Sequence, residues 1–303
     1  MSGGAVVRGE EGVRRPIHHI TVDVEEFFHS TLLVERVPFH QWDAFPRRAS
    51  RVVPWILEQF AAAGARATFF VLGWTAERDP EMVREITGAG HEVGAHSWIH
   101  RRVDRITPEE FREAVRRSKA LLEDITGERV AGYRAPSFSI GRGQEWAFDV
   151  LLDEGYEYDS SLFPIDAGPG YGYPGAARDP HWLNRTEGCL AEVPLLTLRR
   201  AGRAWPAAGG AYLRLLPFQL VTGALRQAEK RAVPGTLYIH PWDIDPELKP
   251  LTGLPPLLRL RLFGGAKRAR RRLARLIRAF PSRAIEDTLQ ELSKTETEKD
   301  PVS

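Results

Sequence analysis

The sequence predicts an α/β fold of parallel βα units, and three observations predict it. Short branched or apolar runs alternate with amphipathic helical patterns, joined by short connections. Several of those runs end in chemically capable polar residues, as strands do when their C-terminal ends share one barrel mouth. At 303 residues the chain is long enough for one barrel-sized domain.

Taken in order, IHHITVDVEE (17–26) alternates and is rich in branched residues, which suits a strand. Residues 50–63 read as a helix closed by Gly64, and ATFFVL (67–72) as a fully buried strand. Asp79 and Pro80 mark the start of a helix, as N-cap and first helical residue, before the strand HEVGAH (91–96). The helix over 107–127 has the clearest pattern. Thr107 and Glu110 form a capping box, and Phe111, Val115, Ser118, Leu122 and Ile125 trace one face before Gly127. VAGYRAP (strand), GQEWAFDVLLDEG (helix) and YEYDSS (strand) continue the alternation. Residues 164–185, rich in Gly, Pro and aromatics without periodicity, read as a long loop. CLAEVPLLTL reads as a strand, 217–231 as a helix, and GTLYIHPWD as a strand running into a loop.

Composition narrows the function classes. Lys and Arg total 42 against 40 Asp and Glu, a net charge of +2 that does not argue for nucleic acid. The Arg-rich stretch 264–280 places Leu273, Leu276, Ile277 and Phe280 on one helical face, which predicts a packing helix with a solvated basic side. A single cysteine, Cys189, offers neither a disulfide nor a thiolate metal site, so any metal must be held by His, Asp or Glu. No secretory signal pattern and no apolar run of about 18 residues occurs, so a cytoplasmic location is expected. Peripheral membrane contact through the basic ends stays open, and the oligomeric state is unspecified.

The reactive residue types gather after strands: Asp23 and Glu25, His96 and His100, Arg134, Asp159 and His240. If residues 97–100 form a helical turn, His96 and His100 face one cation. A catalytic site wants a third protein ligand and an open position, and the acidic strand end supplies the carboxylate.

The segments TVDVEE, HSWIH, YRAPSF, YDSSLFP and LYIHPWD together resemble the polysaccharide deacetylase family (the NodB-homology domain, carbohydrate esterase family four). The likeness is nearest to the subgroup of exopolysaccharide and PEP-CTERM loci. It covers residues 15–285, including a loop-rich insertion at about 164–234. That leaves 1–14 as a flexible leader and 286–303 as a disordered tail. The resemblance implies a distorted (β/α) barrel of about seven parallel strands. It implies a divalent metal, commonly zinc, and hydrolysis of N-acetyl groups on amino sugars of a cell-envelope or exported polysaccharide or its precursor.

By the same resemblance His96 and His100 are metal ligands with Glu25 as the carboxylate, Glu26 being the alternative. Asp23 is the general base that takes a proton from a metal-activated water, and Arg134 orients it. His240 is the general acid, tuned by Asp159. Two positions depart from the family pattern: Tyr238 stands where a leucine is usual, and the fourth motif, YDSSLF, lacks its tryptophan. Trp98, Trp182 and Trp242 are candidates for stacking on sugar rings or for core packing. His18, His19, His29, His40, His91 and His181 match no motif and are expected to be structural or rim residues. Two other functions fit the same residues: an amidohydrolase for a small cyclic amide or ureide, and an inactive barrel that only binds glycan.

Overall fold

The computed structural model describes residues 16–166, 171–289 and 291–292. The expected leader, 1–14, lies outside the described residues.

The strands are β1 (His19–Val24), β2 (Thr68–Val71), β3 (Glu92–Ala95), β4 (Gly132–Tyr133), β5 (Tyr158–Asp159), β6 (His181–Arg185), β7 (Gly188–Glu192), β8 (Thr197–Arg200), β9 (Arg203–Pro206) and β10 (Thr236–Ile239). The helices are α1 (Ala49–Ala62), α2 (Gly73–Arg78), α3 (Pro80–Gly88), α4 (Pro108–Thr126), α5 (Trp146–Asp153), α6 (Gly210–Leu215), α7 (Phe218–Glu229), α8 (Pro256–Phe263) and α9 (Ala266–Ala279).

The main sheet runs β10-β1-β2-β3-β4-β5-β7-β6. Every neighbouring pair is parallel except β6 with β7. The expected seven parallel strands are therefore present among the described residues. An isolated parallel bridge pairs Leu195 with Thr236, and the Leu196 amide donates to the Thr236 carbonyl at 2.9 Å. That contact curls the sheet so that the chain after β7 lies beside β10. The result is a barrel closed by one bridge, and its curvature aims the strand ends at a common mouth.

Sequence accounts for the individual pieces. β2 is buried on all four residues because both faces of a parallel sheet are covered. At α4 the Thr107 hydroxyl accepts from the Glu110 amide at 3.2 Å, and the Glu110 carboxylate accepts from the Thr107 amide at 2.9 Å. Gly127, at φ 69°, closes that helix in the left-handed conformation. The basic helix α9 buries Ala269, Leu273, Leu276 and Ile277, so its apolar stripe packs as expected.

Four expectations need correction. Asp79 does not cap α3 through its side chain; its carboxylate pairs with Arg47 at 3.2 Å. The region 164–185 is not all loop, because β6 adds an antiparallel edge through its hairpin with β7. The run 189–198 is two strands: β7 joins the barrel, whereas β8 pairs with β9 in a separate hairpin. The fold also continues past residue 285. Residues 286–289 are helical, Ile285 and Leu289 pack with Phe70 and Tyr158, and the Ile285 and Glu286 amides donate to Glu92. Polarity alone hid this segment, which covers the barrel floor. Residues 293–303 of the expected tail lie outside the described residues.

Candidate active site

A cavity of about 310 Å³ opens at the C-terminal strand ends and is lined by Asp23, Glu25, His96, His100, Tyr238 and His240. β1 carries Asp23 to this point, and a tight turn, with the Glu25 amide donating to the Asp23 carbonyl at 3.0 Å, swings Glu25 in beside it. The two carboxylates converge through this turn rather than by strand alternation.

The two histidines also meet by a route other than a helical turn. Residues 96–100 form a bend with Ser97 at φ 64° and His100 at φ 53°, a conformation that costs energy in a non-glycine residue. The bend is held against α2: the Gly73 amide donates to Ser97 and the Trp74 amide to Trp98, each at 2.9 Å. Trp98 lies so close over Gly73 that a Cβ there would collide with the indole ring. His96 and His100 end with ring centroids 5.2 Å apart.

Ligand atoms of Glu25, His96 and His100 all lie within 4.8 Å of one another, and all three residues are buried. His96 Nδ1 lies 2.8 Å from the Arg134 carbonyl, which fixes Nδ1 as the donor and leaves Nε2 with its lone pair free. Glu25 Oε2 sits 2.9 Å from His100 Nε2 yet lacks a hydrogen-bond partner. A buried, unsatisfied carboxylate oxygen beside two imidazoles is costly unless a cation completes it. Two imidazoles and a carboxylate suit zinc and several other divalent transition metals. Glu26 is elsewhere: its Oε1 accepts from the Arg48 and Ala49 amides at 2.7 and 2.8 Å, at the start of α1. Of the two candidate carboxylates, the cluster contains Glu25.

Arg134 meets Asp23 as expected. Its guanidinium is buried and donates to Asp23 Oδ1 at 2.7 Å, to the Thr21 hydroxyl at 2.6 Å, and to the Ser160 carbonyl and hydroxyl at 3.0 and 2.8 Å. It also lies over the Phe70 ring at 4.1 Å. This fork fixes the Asp23 carboxylate within the mouth.

The expectation for Asp159 is corrected. Its carboxylate accepts from the Ser161 amide at 2.8 Å and hydroxyl at 2.6 Å, closing the turn after β5. The acid beside His240 is Asp243, whose Oδ2 accepts from His240 Nδ1 at 2.7 Å and from the His240 amide at 2.9 Å. The signal was in the sequence: in HPWD a proline follows the histidine and an acid stands three residues on, the spacing of a local cap. Arg214, also missed, is buried and donates to Asp243 Oδ1 at 2.8 Å. Gly210 leaves room for the Asp243 carboxylate, which a Cβ would overlap.

Burial would lower the His240 pKa, but the Asp243 carboxylate, then Glu25 and Asp23, outweigh it and raise it to about 9. Burial alone pushes Glu25 up, yet His100 first, then His240 and His96, bring it well below the usual carboxylate range. His96 is lowered to about 4, mainly by burial, and so is neutral at pH 7. His240 Nε2 is 3.3 Å from Glu25 Oε1, and Trp242 stacks on its ring at 4.5 Å and 11°. Trp242 thus lines the mouth. Trp98 instead lies under the Arg117 guanidinium at 3.4 Å, and Trp182 packs on the edge strand β6.

Residues 36–149 match the polysaccharide deacetylase family model, and residues 160–290 match a domain of unknown function, DUF3473. A peptidoglycan deacetylase of Helicobacter pylori is 33% identical over 119 residues, covering 39% of this chain and 40% of that protein. A peptidoglycan-N-acetylglucosamine deacetylase of Bacillus cereus is 34% identical over 95 residues, 31% of this chain and 34% of that protein. These matches support the polysaccharide deacetylase family. The chain therefore spans well under half the length of these curated relatives. Among solved structures, a Mycobacterium smegmatis protein described as a polysaccharide deacetylase superposes with a TM-score of 0.61 at 21% identity, covering 97% of this chain and 96% of that one. An allantoinase, PuuE, superposes at 0.58 with 17% identity, covering 88% and 85%. At these identities the structural likenesses establish the fold. The family match begins at residue 36, after Asp23 and Glu25, so the carboxylate half of the site rests on this chain's own geometry.

Proposed function

We propose that the chain is a metal-dependent amidohydrolase that removes N-acetyl groups from amino sugars of a cell-envelope glycan, peptidoglycan or an exopolysaccharide, or of its precursor. One observation carries the reading: Glu25, His96 and His100 converge on a common point, with Asp23 and His240 lining the same cavity. The names of the relatives support the substrate class. Glu25, His96 and His100 would hold a divalent cation, zinc being the expected one. Such an ion lowers the pKa of water and polarises an amide oxygen when bound.

The other steps belong to the protein. Asp23, held by Arg134, accepts a proton as water attacks the amide carbon. His240, held by Asp243, donates a proton to the departing amine nitrogen, which leaves poorly without one. A cavity of about 310 Å³ admits one sugar ring and its acyl group, not a wrapped polymer, so the rest of a glycan lies across the rim.

The test is acetate release from a panel of N-acetylated oligosaccharides, with and without chelator, for wild type, Asp23→Asn and His100→Ala. Release that needs metal and both side chains supports the reading. Release without metal, or at unchanged rate in both variants, removes the mechanism. Ring opening of a cyclic ureide in place of acetate release would reassign the substrate.

A further inference from the structure

The molecule's charge is distributed far less evenly than its net value suggests. Residues 248–279 contain ten Lys or Arg and no acidic residue, against 42 basic and 40 acidic residues in the whole chain. The remainder is therefore net acidic. Arginines elsewhere are mostly paired, as Arg78 is with Asp43, Arg112 with Asp153 and Glu154, and Arg231 with Asp179. Arg259, Arg261, Lys267 and Arg271 have no acidic partner among the described residues.

The same segment exposes apolar side chains. Leu257 and Leu260 on α8 are 81% and 53% exposed, and Leu32, across the cavity, is 41% exposed. Leu32, Arg261 and Leu262 line the cavity, so α8, which also carries Leu257 and Leu260, borders its opening. α8 is anchored from beneath, with Leu258, Leu262 and Phe263 packed into the cluster of Phe27, Phe28 and Trp42. Leu257 and Leu260 consequently point away from that anchor on a fixed helix.

We propose that α8 and the first turns of α9, with Leu32, dock on an anionic lipid bilayer and hold the mouth of the cavity at the headgroups. The cations match lipid phosphates, and the exposed leucines that share α8 with Arg259 and Arg261 match the acyl boundary beneath them. A nucleic acid would satisfy the cations but leave the leucines in water. An acidic protein partner would lack the acyl layer that a helix carrying both needs. The docking does not depend on which amide the site cleaves. Together with the proposed function it places the substrate on a membrane-borne or membrane-adjacent glycan.

The experiment is flotation of the full chain with vesicles of phosphatidylglycerol and phosphatidylcholine in equal parts, and with phosphatidylcholine alone, at low and high salt. Wild type is expected to float with the anionic vesicles only, and less at high salt. Leu257→Ser with Leu260→Ser, and separately Lys267→Glu with Arg271→Glu, should each lower the partition coefficient about tenfold. Both double variants should keep wild-type circular dichroism and wild-type turnover of a soluble substrate. Equal recovery with neutral vesicles, or undiminished binding in either double variant, overturns the docking. So does retention of duplex DNA by a wild type that ignores anionic vesicles. Failure of acetate release with vesicle binding intact refutes the catalytic reading alone.

Discussion

Histidines and carboxylates are buried at both ends of this barrel, and the two ends use them differently. At the floor, Glu92 is surrounded by donors. Its Oε1 accepts from the Tyr158 hydroxyl at 2.7 Å, and its Oε2 from the Thr68 hydroxyl and the Ile285 and Glu286 amides at 2.5, 3.0 and 3.2 Å. His19 lies between the Arg283 carbonyl at 3.3 Å and the Thr288 hydroxyl at 3.0 Å. At the mouth, Glu25 Oε2 and His100 Nδ1 are equally buried but have no hydrogen-bond partner. Residue type therefore does not separate structure from chemistry here; satisfaction of the polar atoms does. At Glu92 and His19 the floor has closed its hydrogen bonds to hold elements together, whereas the mouth leaves Glu25 Oε2 unsatisfied beside two imidazoles.

The largest expected effect tests the mouth. His100→Ala and Glu25→Gln should each lower acetate release by about a thousandfold, since a bound cation supplies several kcal/mol of transition-state stabilisation. Titration calorimetry should show divalent-metal uptake lost in both. Each change also removes one member of the buried Glu25–His100 contact, so the urea midpoint of the metal-free protein should fall. A large stability loss with metal uptake intact would make the mouth a second structural floor.

The converse substitution at the floor, Glu92→Ala, strands one hydroxyl pair and two amides. It should cost about 3 kcal/mol in urea unfolding with the rate per folded molecule unchanged. A smaller effect separates the two acids of the barrel rim. Asp243→Asn should lower acetate release about a hundredfold by loosening His240, the proposed proton donor. Asp159→Asn should instead shift stability. A reversed pattern would restore Asp159 as the partner of His240.

Much of this was legible in the sequence, and for a definable reason. Alternating βα patterns and capping signals are local, so β1, β2, α4 and the packing face of α9 follow from the residues themselves. HSWIH and the acidic end of β1 pointed to the cluster because the residue types were right, although the bend at Ser97 and the turn at Glu25 that unite them depend on backbone conformations no periodicity encodes. Asp159 misled because an acid at a strand end can face its own turn as readily as the mouth, and only the position of Ser161 decides. β6 and the β8–β9 hairpin pair locally through two-residue turns but lack a regular apolar alternation to mark them, whereas the helical continuation past 285 is fixed by the distant Glu92 carboxylate.

A change with pH is the most direct probe of the floor's protonation. Burial, then the Arg66 cation, lowers the His91 pKa from 6.5 to about 4. Geometry agrees, because His91 Nδ1 accepts from the Ala67 amide at 3.1 Å and would lose that bond on protonation. His18 Nδ1 accepts from the Gly235 amide at 3.0 Å in the same way, and its pKa is also lowered by burial to about 4. The unfolded chain binds a proton at each site below about pH 6.5 and the folded chain does not. Stability is therefore full above 6.5 and falls as the pH drops towards 4, by up to about 1.4 kcal/mol per pH unit for each histidine. Glu26 and Glu92 act with the opposite sign, since burial raises both to about 7 and their contribution is lost as the pH rises through that value. Comparing wild type with His91→Asn cancels those carboxyls, because asparagine can accept the Ala67 amide without titrating. The wild-type advantage in urea stability should shrink steadily from pH 6.5 to pH 4. Parallel pH profiles would mean that His91 is already protonated in the fold, and that the floor is less completely satisfied than its hydrogen bonds indicate.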